Sequence, residues 1–294
     1  MNTHKILSTA ISKSLPKPLA YLQTQIADNI QALIQYSPTI ELMGKTGAGK
    51  SSLINALFQS NVSTVNHVER GTTQAIPLQM ALRKRTLTFV DFPGIGESCE
   101  RDKTYRTLYQ QWLPKLDLVI WVLRADERAW TADEITYQFL VRDCGYDPKR
   151  FLFILNQADK IEPCREWDSQ QQQPSVQQRQ HLALKRQAVM KTFSPHHPVM
   201  ALSAKEGYQL HSFVETMIQA LPAQATSLTF TQLKSPYRTE TMKQQVQQDF
   251  SHCVNTTVDT LINQLPLPID LKTAFIRVKD YLVSAVVSLW RWLF

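Results

Sequence analysis

Glycine is scarce in this chain, with 8 residues in 294, where average usage is about 7%. Glycine normally spreads over turns and helix ends, so where it is rare its positions mark backbone that needs positive φ or close approach to a ligand. Gly44, Gly47 and Gly49 fall within six residues, Gly71, Gly94 and Gly96 sit in two later short segments, and Gly207 follows a further loop. Only Gly145 reads as an ordinary turn. Cysteine is sparse too: Cys99, Cys144, Cys164 and Cys253 form no C-x-x-C pair and have no histidine at metal-ligating spacing. That pattern speaks against a disulfide or zinc framework and for free thiols in a reducing cytoplasm. Long apolar runs are absent as well. A spanning helix needs about 20 such residues, and Tyr281 to Trp290 covers half that before Arg291 interrupts it. Met1 to Ser14 lacks the cleavage pattern of a secretory signal.

What is present bounds the class. A hydrophobic fraction of 43% excludes wholesale disorder, and a formal charge of +7 suits an RNA, ribosome or anionic-membrane partner as well as it suits a basic soluble enzyme. The length fits one large α/β domain plus a smaller appendage.

The clustered glycines belong to Gly44-Lys45-Thr46-Gly47-Ala48-Gly49-Lys50-Ser51-Ser52, a complete G-x-x-x-x-G-K-[ST] pattern between the apolar run Ile40 to Met43 and a helix-forming stretch. A glycine-rich bend between strand and helix turns successive N–H groups toward one point, where the helix N-terminus adds partial positive charge. In such a loop Lys50 reaches the β- and γ-phosphates and the Ser51 hydroxyl takes a place on Mg²⁺. The segment therefore predicts a nucleoside triphosphate site.

Apolar periodicity places strands at 39–43, 76–82, 86–91, 117–123, 150–155 and 198–202, and helices at 18–36, 50–59, 103–113, 132–143, 176–193 and 207–221. Several strands are continuous apolar runs, the pattern of a mostly parallel sheet covered on both faces by helices. Gln170 to Gln173 reads as an exposed insertion. After Pro222 the strand pattern stops and helices are expected near 237–264 and 269–294. The predicted organisation is an N-terminal helical extension over 1–37, a nucleotide-binding α/β domain over 38–222 and a helical C-terminal region over 223–294.

Downstream segments choose the nucleotide. The strand ending at Asp91 runs into Phe-Pro-Gly94, a D-x-x-G element: the carboxylate can hold Mg²⁺ through water and the Gly94 N–H can bind the γ-phosphate, making a segment that is released on hydrolysis. Between them lies Arg70-Gly-Thr-Thr-Gln, where a threonine hydroxyl completes the metal shell. The strand at 150–155 runs into Asn156-Gln157-Ala158-Asp159, and a later one into Ser203-Ala204-Lys205. An aspartate accepts two hydrogen bonds from guanine N1 and N2, donors that adenine does not offer, and the loop 203–205 can donate to O6.

This ordered set resembles the five motifs of translation-factor-class GTPases, particularly the Era/TrmE-like bacterial group, over about residues 38–221. Within it the chain looks most like accessory GTPases labelled 50S-ribosome-binding. The resemblance implies a GTP-binding switch that hydrolyses GTP to GDP and phosphate. Lys50 would bind phosphate, Ser51 and Thr73 would ligate Mg²⁺, Asp91 would support the metal through water, Gly94 would sense the γ-phosphate and Asp159 would read guanine. Three departures stand out. Gln157 replaces the lysine of N-K-x-D, Ile95 stands where Ras-type enzymes place the glutamine that orients water, and Gly47 stands where potassium-activated relatives place asparagine. Slow intrinsic hydrolysis follows from Ile95. A guanine-nucleotide-binding module without useful hydrolysis stays open beside it.

The C-terminal segment has no glycine, so it lacks the G-x-x-G loop by which a KH domain clamps RNA. In its last helix Arg277, Asp280, Ser284, Ser288 and Arg291 fall on one polar stripe, while Phe275, Val278, Leu282, Val286, Leu289, Trp290 and Leu293 fill the rest. Packing onto the GTPase domain, partner binding or self-association, and lying in a membrane interface all fit that pattern. The location is accordingly read as cytoplasmic, with attachment at the inner face of the membrane as the variant.

Overall fold

A computed structural model describes residues 3–15, 17–59, 63–64, 76–82, 85–91, 109–264 and 268–294. It resolves into two compact units: residues 38–221 with 232–237, and residues 1–37 with 222–231 and 238–294.

The first unit is built on a seven-stranded sheet. Its strands are β1 (Thr39–Met43), β2 (Ser63–Thr64), β3 (Ile76–Leu82), β4 (Arg85–Asp91), β5 (Leu118–Arg124), β6 (Phe151–Asn156) and β7 (Met200–Ala201). They lie in the order β2-β3-β4-β1-β5-β6-β7. β1 pairs in parallel with β4 and β5, β5 with β6 and β6 with β7, whereas β3 is antiparallel to its neighbours. β5 and β6 are the unbroken apolar runs Leu-Val-Ile-Trp-Val-Leu and Phe-Leu-Phe-Ile-Leu, and every one of those residues is buried, as strands covered on both faces require. The mostly parallel, helix-flanked sheet expected from the sequence is the fold observed.

Around it pack α3 (Lys50–Leu57), α4 (Thr131–Gln138), α5 (Val176–Phe193) and α6 (Leu210–Ala220). α5 begins in a capping box: Ser175 accepts from the Gln178 amide and the Gln178 side chain accepts from the Ser175 amide. The core centres on Trp121 of β5, stacked on Phe153 at 5.5 Å and 15° and met edge-on by Tyr137 at 6.0 Å. Trp121 Nε1 donates to Asp133 Oδ1 at 2.9 Å, so the indole is satisfied inside the core.

The second unit is helical. α1 (Thr3–Ser14) and α2 (Gln23–Ile34) join α7 (Ala223–Gln232), α8 (Glu240–Gln264), α9 (Ile269–Ser288) and α10 (Trp290–Leu293). α8 buries Met242, Val246, Phe250, Val254 and Val258, a four-residue repeat that keeps one stripe inward. α9 packs on α8 and on α1, burying Phe275, Leu282 and Val286, and Lys279 of α9 pairs with Asp259 of α8 at 2.9 Å. The apolar face of the last helix is therefore covered within its own unit, by α1 and α8.

Boundaries shift in physically readable ways. The helix expected over 18–36 opens as a 3-10 turn, Lys17–Leu22, before becoming α-helical. The one expected over 132–143 ends as α-helix at Gln138 and closes in a π-turn, with Cys144 N–H donating to Phe139 O at 3.0 Å. β7 is shorter than expected, Met200–Ala201, and Pro198, with no N–H to give a ladder, cannot extend it at its start. α1, α7 and β2 lie where no element was expected. Most of the helix expected over 103–113 lies outside the described residues.

Candidate guanine-nucleotide site

The phosphate-loop pattern emerges from β1 and ends in α3, between a strand and a helix as the sequence implied. Gly44 has φ +138, and a Cβ there would sit 2.3 Å from the Val122 carbonyl oxygen of the neighbouring strand. Gly49 caps α3 at φ +92, where a Cβ would meet Asn156 Nδ2 at 2.4 Å. Both glycines are thus demanded by the protein's own backbone and side chains. Lys50 folds over the loop, with Nζ donating to Gly44 O at 2.7 Å. Ser51 and Ser52 stand exposed on the first turn of α3, beside helix amides that have no intrahelical acceptor. Thr46 and Gly47 are exposed at the loop tip and Ala48 is buried beneath it.

Two distant segments close against this loop. Asn156, at the end of β6, donates from Nδ2 to Ala48 O at 2.8 Å and accepts at Oδ1 from the Ala204 amide at 3.1 Å. One side chain thereby ties residues 48, 156 and 204 together. Gln157 adopts a left-handed φ of 60 and its Nε2 donates to Gly47 O at 2.7 Å. Asp159 accepts from Ser203 Oγ at 2.6 Å, and the same hydroxyl accepts from the Glu206 amide at 3.2 Å. The second carboxylate oxygen of Asp159 has no hydrogen-bond partner among the described residues. Lys205 points away, pairing with Glu206 at 2.9 Å. The Ala204 amide is committed to Asn156, so it is not a free donor for a base. The Lys205 amide has no acceptor among the described residues.

The remaining expected residues are placed unevenly. Asp91 closes β4, in register with Leu42 of β1. Thr73 and Gly94 lie outside the described residues, as do Arg70, Ile95, Glu97 and Arg101.

Sequence reasoning missed a charged strap on the phosphate loop. Lys45 Nζ hydrogen-bonds Glu127 Oε1 and lies 3.5 Å from Asp133 Oδ2 and 3.3 Å from Ala129 O. Lys185 of α5 donates to the Glu127 carbonyl, and its ammonium sits 5.1 Å over the Trp130 ring. Burial lowers the Lys45 pKa, but the Glu127 hydrogen bond and the Asp133 charge outweigh it and the ammonium titrates above its ordinary value. Asp133 is raised, because burial outweighs the Trp121 hydrogen bond and the Lys45 charge. The pair is lopsided: Lys45 gains from it, while Asp133 loses more to burial than it recovers. The available signal was the acid pair Asp126-Glu127 directly after an apolar strand, since ligands of open α/β sheets sit outside the carboxyl ends of the strands.

Comparison with known proteins points to a GTPase family. A family model described as 50S ribosome-binding GTPase matches residues 39–157. The chain is 36% identical to the uncharacterized protein YfjP of Escherichia coli (strain K12), over 93% of each chain. It is also 36% identical to the uncharacterized protein YkfA of the same strain, over 96% of this chain and 98% of the relative. Among solved structures, the LeoA bacterial dynamin GTPase from ETEC aligns with TM-score 0.52 and 13% identity, over 90% of this chain and 52% of that one, a likeness of fold.

Proposed function

We propose that this chain, which belongs to the P-loop GTPase family, is a GTP-operated switch that hydrolyses GTP to GDP and phosphate, slowly when alone. The observation that supports it is a relay of hydrogen bonds: Asn156 holds the phosphate-binding bend at Ala48 and the 203–205 loop at Ala204, and Ser203 of that loop holds the guanine-reading carboxylate of Asp159. Asp159, braced by Ser203, offers its free oxygen and its lone pairs to guanine N1 and N2. The Lys205 amide is the backbone donor left for O6. An adenine in that place would leave the carboxylate unpaired, a cost of about 1–3 kcal/mol.

At the phosphate end Lys50 would exchange its bond to Gly44 O for β- and γ-phosphate oxygens, while the loop amides and the start of α3 supply further donors. The residues suit a magnesium ion: Ser51 Oγ makes no hydrogen bond among the described residues and sits on the first turn of α3, and Asp91 ends the adjacent strand. Ser51, Thr73 and, through water, Asp91 would hold it, and the ion would neutralise charge on the β- and γ-phosphates. In hydrolysis the oxygen of a water bonds to the γ-phosphorus as the bond to the β–γ bridging oxygen breaks, and the water's proton passes to the released phosphate. Ile95 offers that water no hydrogen bond, which is why the intrinsic rate is expected to be low.

Within that family the order of the five motifs supports an Era/TrmE-like reading, the widely spaced cysteines support a cytoplasmic one, and the +7 charge suits a ribosomal or RNA partner. Attachment to the inner face of the membrane would have to use surfaces other than Phe275, Leu282 and Val286, which are buried in the helical unit. Among the described residues no helix is long and apolar enough to cross a membrane.

Single-turnover release of phosphate from GTP, measured for the chain and for Asp91→Ala, tests the enzymatic reading. A rate well above the Asp91→Ala background is expected. Equal rates, with GTP still bound, would leave a nucleotide-binding module.

A further inference from the structure

The base site of this chain lacks the cation that N-K-x-D places at its second position, because Gln157 stands there. The structure brings another cation to the Gln157 side chain. Lys160 ends a single 3-10 turn, Ala158–Lys160, whose closing bond runs from the Lys160 amide to Gln157 O at 2.9 Å. Its ammonium donates to Gln157 Oε1 at 2.9 Å, while Gln157 Nε2 donates in the opposite direction to Gly47 O at 2.7 Å.

We propose that Lys160 is an affinity-determining positioning residue of the guanine site, acting through the Gln157 carboxamide to strap the phosphate loop to the base-reading strand. The proposal rests on the reading of the site given above.

Three observations carry it. A carboxamide can sit with either end toward a carbonyl, and if Gln157 were turned round, its Oε1 would face Gly47 O, acceptor against acceptor. A cation on the outer side decides the orientation. Second, an ammonium on the amide oxygen polarises the group and strengthens the N–H···O bond it makes beyond, as hydrogen bonds in series do. Third, Lys160 has no carboxylate within ion-pair distance among the described residues; its charge acts on Asp126 only at longer range, and the hydrogen bond it donates goes to Gln157. Gln157 itself is held at φ 60, a backbone state that non-glycine residues keep only where their surroundings fix it. Lysine and glutamine–lysine are then two chemical routes to one contact on the Gly47 carbonyl.

The test is a cycle of variants, Lys160→Ala, Lys160→Arg, Gln157→Lys and the double change Gln157→Lys with Lys160→Ala, read by the dissociation rate of fluorescent GDP. Lys160→Ala should release GDP about three- to tenfold faster, the worth of one hydrogen bond, and Lys160→Arg should recover most of that. In the Gln157→Lys background, loss of Lys160 should change the rate less than about twofold, because the new lysine reaches the loop unaided. Equal losses in both backgrounds, or no loss in either, would overturn the proposal. Amide hydrogen exchange of residues 44–49 in the nucleotide-free protein gives a second reading. Lys160→Ala should speed it, and unchanged exchange would overturn the strap. Should the unaltered chain fail to bind GDP, the guanine reading of the site falls, and the exchange comparison still decides whether the strap exists.

Discussion

All eight glycines of the chain lie in the sheet-containing unit or its loops, and none lies in residues 1–37 or 222–294. The two units also handle buried polarity differently. In the helical unit, buried hydroxyls of α7 are satisfied close to home: Thr229 donates to Ala225 O at 2.8 Å and Thr226 to Ala223 O at 2.9 Å. Ser227 is an exception, accepting from Trp290 Nε1, 63 positions along the chain, at 3.0 Å. In the sheet unit, polar groups around the loop reach far along the chain, as Asn156 does to Ala48 and Lys45 to Glu127. Local satisfaction makes a helix bundle that tolerates its own polar residues. Distant satisfaction makes a site, because each bond fixes one segment against another in a geometry that a ligand can use.

That contrast can be broken by showing that the helical unit sets nucleotide affinity, or sharpened by separating the two. The largest effect on stability is expected from Phe250→Ala, which empties a buried position beside Phe294, 5.5 Å away. Such truncations cost about 3–5 kcal/mol, readable by urea unfolding, while GDP affinity of the folded fraction stays within about twofold. A tenfold change in affinity would end the division of labour. Asp159→Ala should do the reverse. Each hydrogen bond to a charged group is worth about 1.5–3 kcal/mol, so preference for GDP over ADP should fall by about a hundredfold in competition binding, with little loss of stability. Trp290→Phe removes the bond to Ser227 and part of the ring packed near Phe230 and Phe294, and should cost about 2 kcal/mol in thermal unfolding.

The smallest effect concerns Asp133. Its pKa in the fold is raised from 3.8 by burial, so the native state favours the protonated acid. That contribution is complete below 3.8 and is lost as pH climbs through the raised value. Asp133→Asn should match the parent chain at about pH 3 and gain on it by under about 1 kcal/mol toward neutrality. A gain that is the same at every pH would point to packing instead.

Much of the site was legible because its requirements are local. Gly44 and Gly49 must be glycine at their φ values, the proposed pairing with guanine calls for a carboxylate at Asp159, and continuous apolar runs must be strands buried on both faces. Element ends were less legible: β7 shrank to two residues after Pro198, and α4 yielded to a π-turn, where packing rather than propensity decides. The Gln157–Lys160 relay was not legible at all, and of the loop strap only the acid pair Asp126-Glu127 after an apolar strand gave a sign. Lys45 and Glu127 are separated by 82 positions, and nothing in the pattern around either names the other.

The sequence by itself thus determined a triphosphate site between strand and helix, the choice of guanine and a helical C-terminal region, since each follows from residue chemistry at fixed local spacing. Only the tertiary structure decided that residues 1–37 join the C-terminal helices in one unit, that the Ala204 amide serves Asn156, and that a lysine three positions on attends Gln157. Those outcomes depend on strand order and helix packing, which bring together groups whose spacing along the chain carries no information about their distance in space.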